Sequence, residues 1–475
     1  MCRRCPSELK AVTRNTSPKR KRGLTVHGAR SPRLRVGLVL GSALLSSAFM
    51  LSAPGCGRRP GPPVPKVQEV SAKSDAPAAN VSELQLSADD WPMWRGANVD
   101  GISTGPAVPT KWSETENVAW KVKLPGRGHS SPTIVGDRVY LETADEKEHV
   151  QSVLCLDRTD GKQLWKTDLH RGQFETAMHG ENTQATSTIA CDGERLFALF
   201  LNDRKIWATA LDLDGNKLWQ TEVGSFASKF GFSASPTLYK SLVLLAADHQ
   251  QGGFVAALNR QDGSIVWRKP RPAKSSYASP RVVSLGGKDQ LVICGANLVA
   301  SFDPLTGDQF WSTSGTAEAG VGTLVVADDL LLASGGYPEQ ETIAVKPDGS
   351  VAWRNNVKAY CPSLLAHKGY LYMVSDDGIA RCYDTKSGTK KWEKRIGGNF
   401  RVSPVLSGGH IIITDMSGKT TVFKADPTKF EIVAENHLGT EGFASPGMSK
   451  GQLFLRVADS SNGPRQEWLY CIAAK

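Results

Sequence analysis

Several features are missing from this 475-residue chain. No Cys-x-x-Cys-His occurs, so there is no covalent haem attachment site. No His-Glu-x-x-His and no phosphate-binding glycine loop occur either, which removes the familiar zinc-protease and nucleotide signatures. None of the nine cysteines is next to another, and Cys2 and Cys5 form a CxxC with no second pair to complete a metal site. Beyond the first 56 residues there is also no net charge. Those residues hold 11 of the 57 Lys/Arg and one of the 47 Asp/Glu, so 46 of each sign remain for the rest. The overall +10 therefore belongs to the leader, and a nucleic-acid-binding body is not indicated. Only one long hydrophobic run is present, the uncharged stretch 36–53.

What is present is a repeat. Six times a glycine is followed four residues later by a tryptophan: Gly161/Trp165, Gly215/Trp219, Gly263/Trp267, Gly307/Trp311, Gly349/Trp353 and Gly388/Trp392. The tryptophans lie 54, 48, 44, 42 and 39 residues apart, the period of a β-propeller blade. Within residues 130–169, short apolar strands alternate with Gly/Asp turns, as in a four-stranded meander. The glycine suits a hairpin turn that needs positive φ. The tryptophan supplies a large surface to fill the gap to the next blade. An Asp or Asn four residues before the glycine (Asp157, Asn259, Asp303, Asp384) can cap that turn. Cys155, Cys382 and Cys471 share a third-strand slot with Ala210, Ala257 and Ala344, which reads as a demand for a small packed residue.

Each repeat opens on Ser-Pro or a variant: Ser131-Pro132, Ser187-Thr188, Ser235-Pro236, Ser279-Pro280, Gly322-Thr323, Pro362-Ser363, Ser403-Pro404 and Ser445-Pro446. Closing strands number eight when Trp120 and the degraded repeat at Val433 are counted; in that repeat Lys429 stands where the glycine should be. The chain starts with a lone fourth strand at Trp120 and ends after three strands. These observations predict an all-β, eight-bladed β-propeller over 117–475, closed by the N-terminal strand completing the C-terminal blade, which removes free sheet edges. The predicted docking residues are Trp120, Trp165, Trp219, Trp267, Trp311, Trp353 and Trp392.

Residues 1–56 read as an export signal, with a basic start, the apolar run and small residues after it. Ala53-Pro54-Gly55-Cys56 is similar to a bacterial lipobox, which makes Cys56 a lipidation candidate; simple cleavage is the alternative. Residues 57–88, rich in Pro, Ala and Ser, read as a disordered tether, and 89–116 as an N-terminal arm.

The Gly-x-x-x-Trp repeats, with Ala/Cys-x-Asp before them and Ser-Pro strand openings, resemble the tryptophan-docking repeats of the pyrroloquinoline quinone (PQQ) propeller superfamily. No Trp-Asp dipeptide of the WD40 kind occurs. Trp91-Pro92-Met93-Trp94-Arg95-Gly96 resembles the arm of secreted bacterial members. The resemblance implies one of two roles. One is a PQQ- and calcium-dependent oxidoreductase acting on alcohols or sugars. The other is a non-enzymatic scaffold like the lipoprotein of the outer-membrane β-barrel assembly machinery. The oxidoreductase role calls for calcium-binding Glu/Asn/Asp oxygens, an Asp base and, in many members, adjacent cysteines. No such set can be matched here, so the expectation is a scaffold without cofactor or catalytic residues. It would be exported to the periplasm or held at the membrane through lipid, monomeric, and bind envelope proteins or glycans.

Binding is expected on one rim of the ring. Loops before the first strands contribute Arg127, His129, His179, Lys229, Phe230, Phe232, Tyr277, Tyr360, Phe400, Arg401 and Phe443. Aromatic and Arg side chains on loops suit recognition. Loops between second and third strands contribute Asp145, Asp203, Asp248, His249, Tyr337, Asp376, Asp377, Asp415 and Asp459, acids that could gather round a cation. The long loop 170–185 carries His170, Glu175, His179, Glu181 and Asn182 and is expected over the channel mouth.

Overall fold

The structure, a computed structural model, describes residues 63–72, 84–174, 178–228 and 230–474. The leader with Cys56, and also Glu175 and Lys229, lie outside them. The chain divides after Arg58, and the second unit holds every element below.

Among the described residues there is no helix, and thirty-two strands form eight four-stranded sheets. Blade 1 is Thr133–Val135, Arg138–Asp145, Val150–Asp157 and Gln163–Arg171. Second and third strands such as Leu242–Ala247 and Phe254–Asn259 are nearly continuous apolar runs, because neighbouring blades cover both their faces. Outer strands such as Lys390–Arg395 are largely exposed except for their tryptophan. Blade 8 takes Gly447–Ser449, Gln452–Asp459 and Gln466–Ile472 from the C-terminus and Val118–Leu124 from the N-terminus. The two ends pair antiparallel, with Trp120 opposite Cys471 and Leu124 opposite Glu467. The eight blades and the mode of closure are those the repeat predicts.

The Gly/Trp spacing has a fuller cause than turn geometry. Each indole N–H donates to a carbonyl in the next blade's last turn: Trp120 to Arg158, Trp165 to Leu213, Trp219 to Arg260, Trp267 to Pro304, Trp311 to Pro347, Trp353 to Thr385 and Trp392 to Asp426, at 2.8–3.1 Å. Six of these indoles, all but Trp392, also press against the next blade's glycine, while Trp392 meets Phe430. A Cβ on Gly307, which has φ of 75°, would sit 2.6 Å from the Trp267 ring. The slot therefore excludes side chains twice, by conformation and by contact. The small third-strand residues are explained too. Cys155, Ala210, Ala257, Ala344 and Cys382 are the cross-strand partners of Trp165, Trp219, Trp267, Trp353 and Trp392.

The opening hydroxyls stitch the axis. The amide of one first strand donates to the hydroxyl of the next: Ser131 to Thr188, Thr188 to Ser235, Ser235 to Ser279, Thr323 to Ser363, Ser363 to Ser403 and Ser403 to Ser445. At Thr323 the hydroxyl is engaged instead by the indole N–H of Trp94, at 2.9 Å. That residue belongs to the arm, which crosses the ring beyond the first strands. Trp91 pairs with Ile134 of blade 1, Pro92 accepts from the Cys191 amide of blade 2, and Ile102 bridges to Leu406 of blade 7. Part of the stretch expected as a disordered tether is also ordered against the ring. Val70 exchanges both backbone hydrogen bonds with Arg268 on the outer strand of blade 3, and Glu69 pairs with Lys269 at 3.0 Å.

Candidate functional site

Residues just before the eight opening strands converge on one end of the axial channel. They enclose a cavity of about 480 Å³ whose walls include His129, His179, Phe230, Tyr277, Tyr337, Tyr360, Arg401 and Phe443, with Trp94 of the arm and the opening serines also in its lining. Of the rim candidates, His129, His179, Tyr277, Tyr360, Arg401 and Phe443 are thus brought together. Arg127 stands in the adjoining groove of about 660 Å³ with Glu146, Glu441 and Arg465, and donates to the Gly180 carbonyl. Phe232 is not on the rim: it is 6% exposed, turned into the blade core edge-on to Phe226. Its position in the repeat matches the others, but an apolar gap between blades 2 and 3 takes it in.

The mouth is bridged. Residues 178–186 of the long loop reach across it, and Glu181 pairs with Arg401 of blade 7 at 2.9 Å. Asn182 donates to the Phe230 carbonyl and accepts from Thr186. The wall on the blade 8–blade 1 side is a stack: the His129 and Phe443 rings are 4.6 Å apart and nearly parallel. Burial, and then the nearby Arg127, Arg456 and Arg465, push His129 well below the usual histidine range, so it is neutral. Beneath it Arg456 is held by Glu467, which also accepts from the Gly128 amide. Tyr277 donates to or accepts from Ser228 at 3.0 Å. Tyr337 is 65% exposed and forms the open lip.

These groups suit recognition better than bond-making. Burial, and then Asp376, push the Cys361 thiol up, which keeps it a thiol rather than a thiolate nucleophile. Ser131 Oγ and His129 Nε2 both lack a hydrogen-bond partner among the described residues, so they form no nucleophile–base pair. Calcium-assisted quinone chemistry requires several Asp, Glu or Asn oxygens at one point. Of the described lining residues only Glu181 and Asn182 are of that kind, and both are committed as above. The donor set does not fit that group.

The loop acids do not gather either. Asp145, Asp415 and Asp459 each accept amides of their own turns, Asp376 accepts the Tyr360 and Cys361 amides, and Asp248 is clamped by Arg271 at 2.7 and 2.9 Å. Among the described residues no three His, Cys, Asp or Glu side chains converge as metal ligands. His170 lies in a strand, packed near Phe200 and Trp207 and brought down to about 4 by burial, away from Glu181. The residues that the sequence reading left out of the site are Trp94, Thr186, Ser233, Val321, Cys361 and the opening serines. The Ser-Pro pattern marks the serines, because the first strand of every blade faces the axis. Nothing local marks Trp94.

A family profile described as outer membrane protein assembly factor BamB matches residues 102–229, 148–288 and 295–457. The outer membrane protein assembly factor BamB of Yersinia pestis is 24% identical over 381 residues, which covers 75% of this chain and 90% of that one. Among solved structures, BamB from Moraxella catarrhalis aligns with a TM-score of 0.53 at 16% identity, over 74% of this chain and 98% of that one. A europium-containing methanol dehydrogenase aligns with a TM-score of 0.62 at 12% identity, over 82% of this chain and 99% of that one. At those identities the two structures speak for the propeller fold.

Proposed function

This chain belongs to the family of the outer membrane protein assembly factor BamB, and from that premise we propose that it is a non-catalytic binding scaffold of the bacterial cell envelope. Its partners are proteins engaged in outer-membrane assembly, met at the channel mouth. The observation that carries the reading is the mouth itself. Loops from six or more blades bring tyrosines, phenylalanines and one arginine to a single concave lip, with no activated nucleophile among them. Large rigid aromatic side chains give contact area at low entropic cost, and a half-buried Arg adds directed hydrogen bonds. The leader supplies export, and lipidation of Cys56 would hold the ring at a membrane.

The test places a photo-crosslinking amino acid in living cells at Tyr337, and at the outer-strand positions Leu164 and Leu218 for comparison. All three are exposed. Adducts with outer-membrane assembly proteins concentrated at Tyr337, and lost on Arg401→Glu, support the reading. Equal labelling at all three positions, or recovery of the protein in the cytoplasm, overturns it. A glycan as ligand would show as carbohydrate-array binding abolished by the same Arg401→Glu change.

A further inference from the structure

The far end of the channel carries an unbalanced charge. Arg95, in the arm, is 2% exposed and donates to three backbone carbonyls: Pro404 at 3.1 Å, Leu364 at 2.7 Å and Asp100 at 2.6 Å. Arg281, at the start of the first strand of blade 4, is 8% exposed. Its Nε and Nη1, like Nε of Arg95, have no hydrogen-bond partner among the described residues. Neither guanidinium has a carboxylate at ion-pair distance among those residues, although Asp100 is near enough to favour the charge of both. The Asp100 carboxylate already accepts the Ile102 amide at 2.9 Å. Two buried cations thus share one acid. Burial brings Arg95 down to about 9 and lowers Arg281 as well. A buried charge left unpaired is costly, and so is a buried donor without an acceptor.

Arg281 lines a cavity of about 330 Å³ between the arm and the first strands of blades 3 to 5, walled also by Asn98, Asp100, Thr237 and Ser284. Since a water occupies roughly 30 Å³ of liquid, this volume holds a tetrahedral oxyanion together with its remaining hydration. We propose that this cavity is an oxyanion-binding site, with Arg281 the principal donor and Arg95 supplying the second positive charge. An oxyanion there takes the free Arg281 donors and balances the second cation. It also ties the arm to three blades, so the ligand fastens the plug at this end of the channel. The site is separate from the mouth and independent of the reading given for it.

The probe is inorganic phosphate, titrated calorimetrically into the full-length chain at constant ionic strength, with phenyl phosphate as a parallel arm. The expected result is saturable one-site binding of phosphate that weakens by about tenfold or more in Arg281→Gln, the loss of a charge-assisted pair. Asp100→Asn keeps the acceptor for the Ile102 amide but removes the competing charge. It should tighten binding, and it tests the site even if the arginine variant fails to fold. Phenyl phosphate binding as well would mean that the anion is carried on a larger molecule; phosphate alone would mean the free ion. Absence of saturable binding of either, or affinities unchanged in Asp100→Asn and Arg281→Gln, overturns the proposal.

Discussion

Seven of the eight junctions between blades are held by an indole reaching into the next blade's turn, and the eighth, between blades 7 and 8, is held differently. Blade 7 has Ala434 in the tryptophan slot, opposite Val422 as Trp392 is opposite Cys382; Val433, where the spacing placed it, points out and is 38% exposed. Blade 8 has no third-to-fourth turn to receive an indole, because its fourth strand comes from the other end of the chain. The arm fills the place. Trp112 is 3% exposed, packed among Val405, Ile412 and Leu438 of blade 7 and Met448 and Leu453 of blade 8. Its backbone amide donates to Asn436 at 2.9 Å, whose side chain in turn donates to the Thr110 carbonyl. The Val108 amide likewise donates to the Ser407 hydroxyl. The difference teaches that the glycine–tryptophan pair serves the hairpin rather than the blade. Where ring closure deletes the hairpin, both partners are lost and a segment from elsewhere supplies the apolar filling.

Five substitutions test that contrast, read as shifts in a urea unfolding curve. Trp267→Ala should be the most damaging. This indole is wholly buried, and truncating it leaves a cavity and an unpaired Pro304 carbonyl, a loss of about 3–5 kcal/mol. Gly307→Ala attacks the same junction from the other side and should cost about 1–3 kcal/mol, from positive φ together with contact on the Trp267 ring. Phenylalanine separates the two kinds of junction. Trp267→Phe forfeits a hydrogen bond and should lose about 1 kcal/mol beyond its packing change. Trp112→Phe should cost less or even stabilise, because the Trp112 indole N–H is buried with no partner among the described residues. Equal losses at the two sites would sink the view that Trp112 acts by packing alone. Lys429→Gly should be smallest, within about 0.5 kcal/mol, as for a solvent-facing position. Phe430, not Lys429, stands in the glycine place and meets Trp392, ring centroids 5.2 Å apart, and Lys429 pairs with half-buried Glu431. A change well above that would mean that Lys429 helps to hold Phe430 against Trp392.

Much of this was legible beforehand, and unevenly so. The blades, their number and the closure were readable because each blade repeats one packing problem, and a repeated problem leaves a period. Tyr277, Tyr360, Arg401 and Phe443 were readable as rim residues because they precede strand openings, which put them at the axis. Phe232 obeys the same rule of position yet lies in the core, since an unfilled apolar gap outweighs register. The acids at the loop tips looked like a cation ring. Asp145, Asp415 and Asp459 proved to be turn caps, because each carboxylate meets backbone amides two to four residues away, while Asp376 is taken by the Tyr360 and Cys361 amides and Asp248 by Arg271, before any of them can meet another acid.

The all-β class, the eightfold count, the seam and the slots that must stay small can be read along the chain, because they follow from local spacing and from side-chain size against a neighbour of the same kind. What closes each end of the channel depends on contacts made only in the folded ring. Trp94, Arg95 and Trp112 are ordinary arm residues until the chain crosses the ring. Arg281 is an ordinary strand residue until the arm lies over it and takes away its water. Such contacts join segments up to some three hundred residues apart, as Arg95 does with Pro404, and no period along the chain records them.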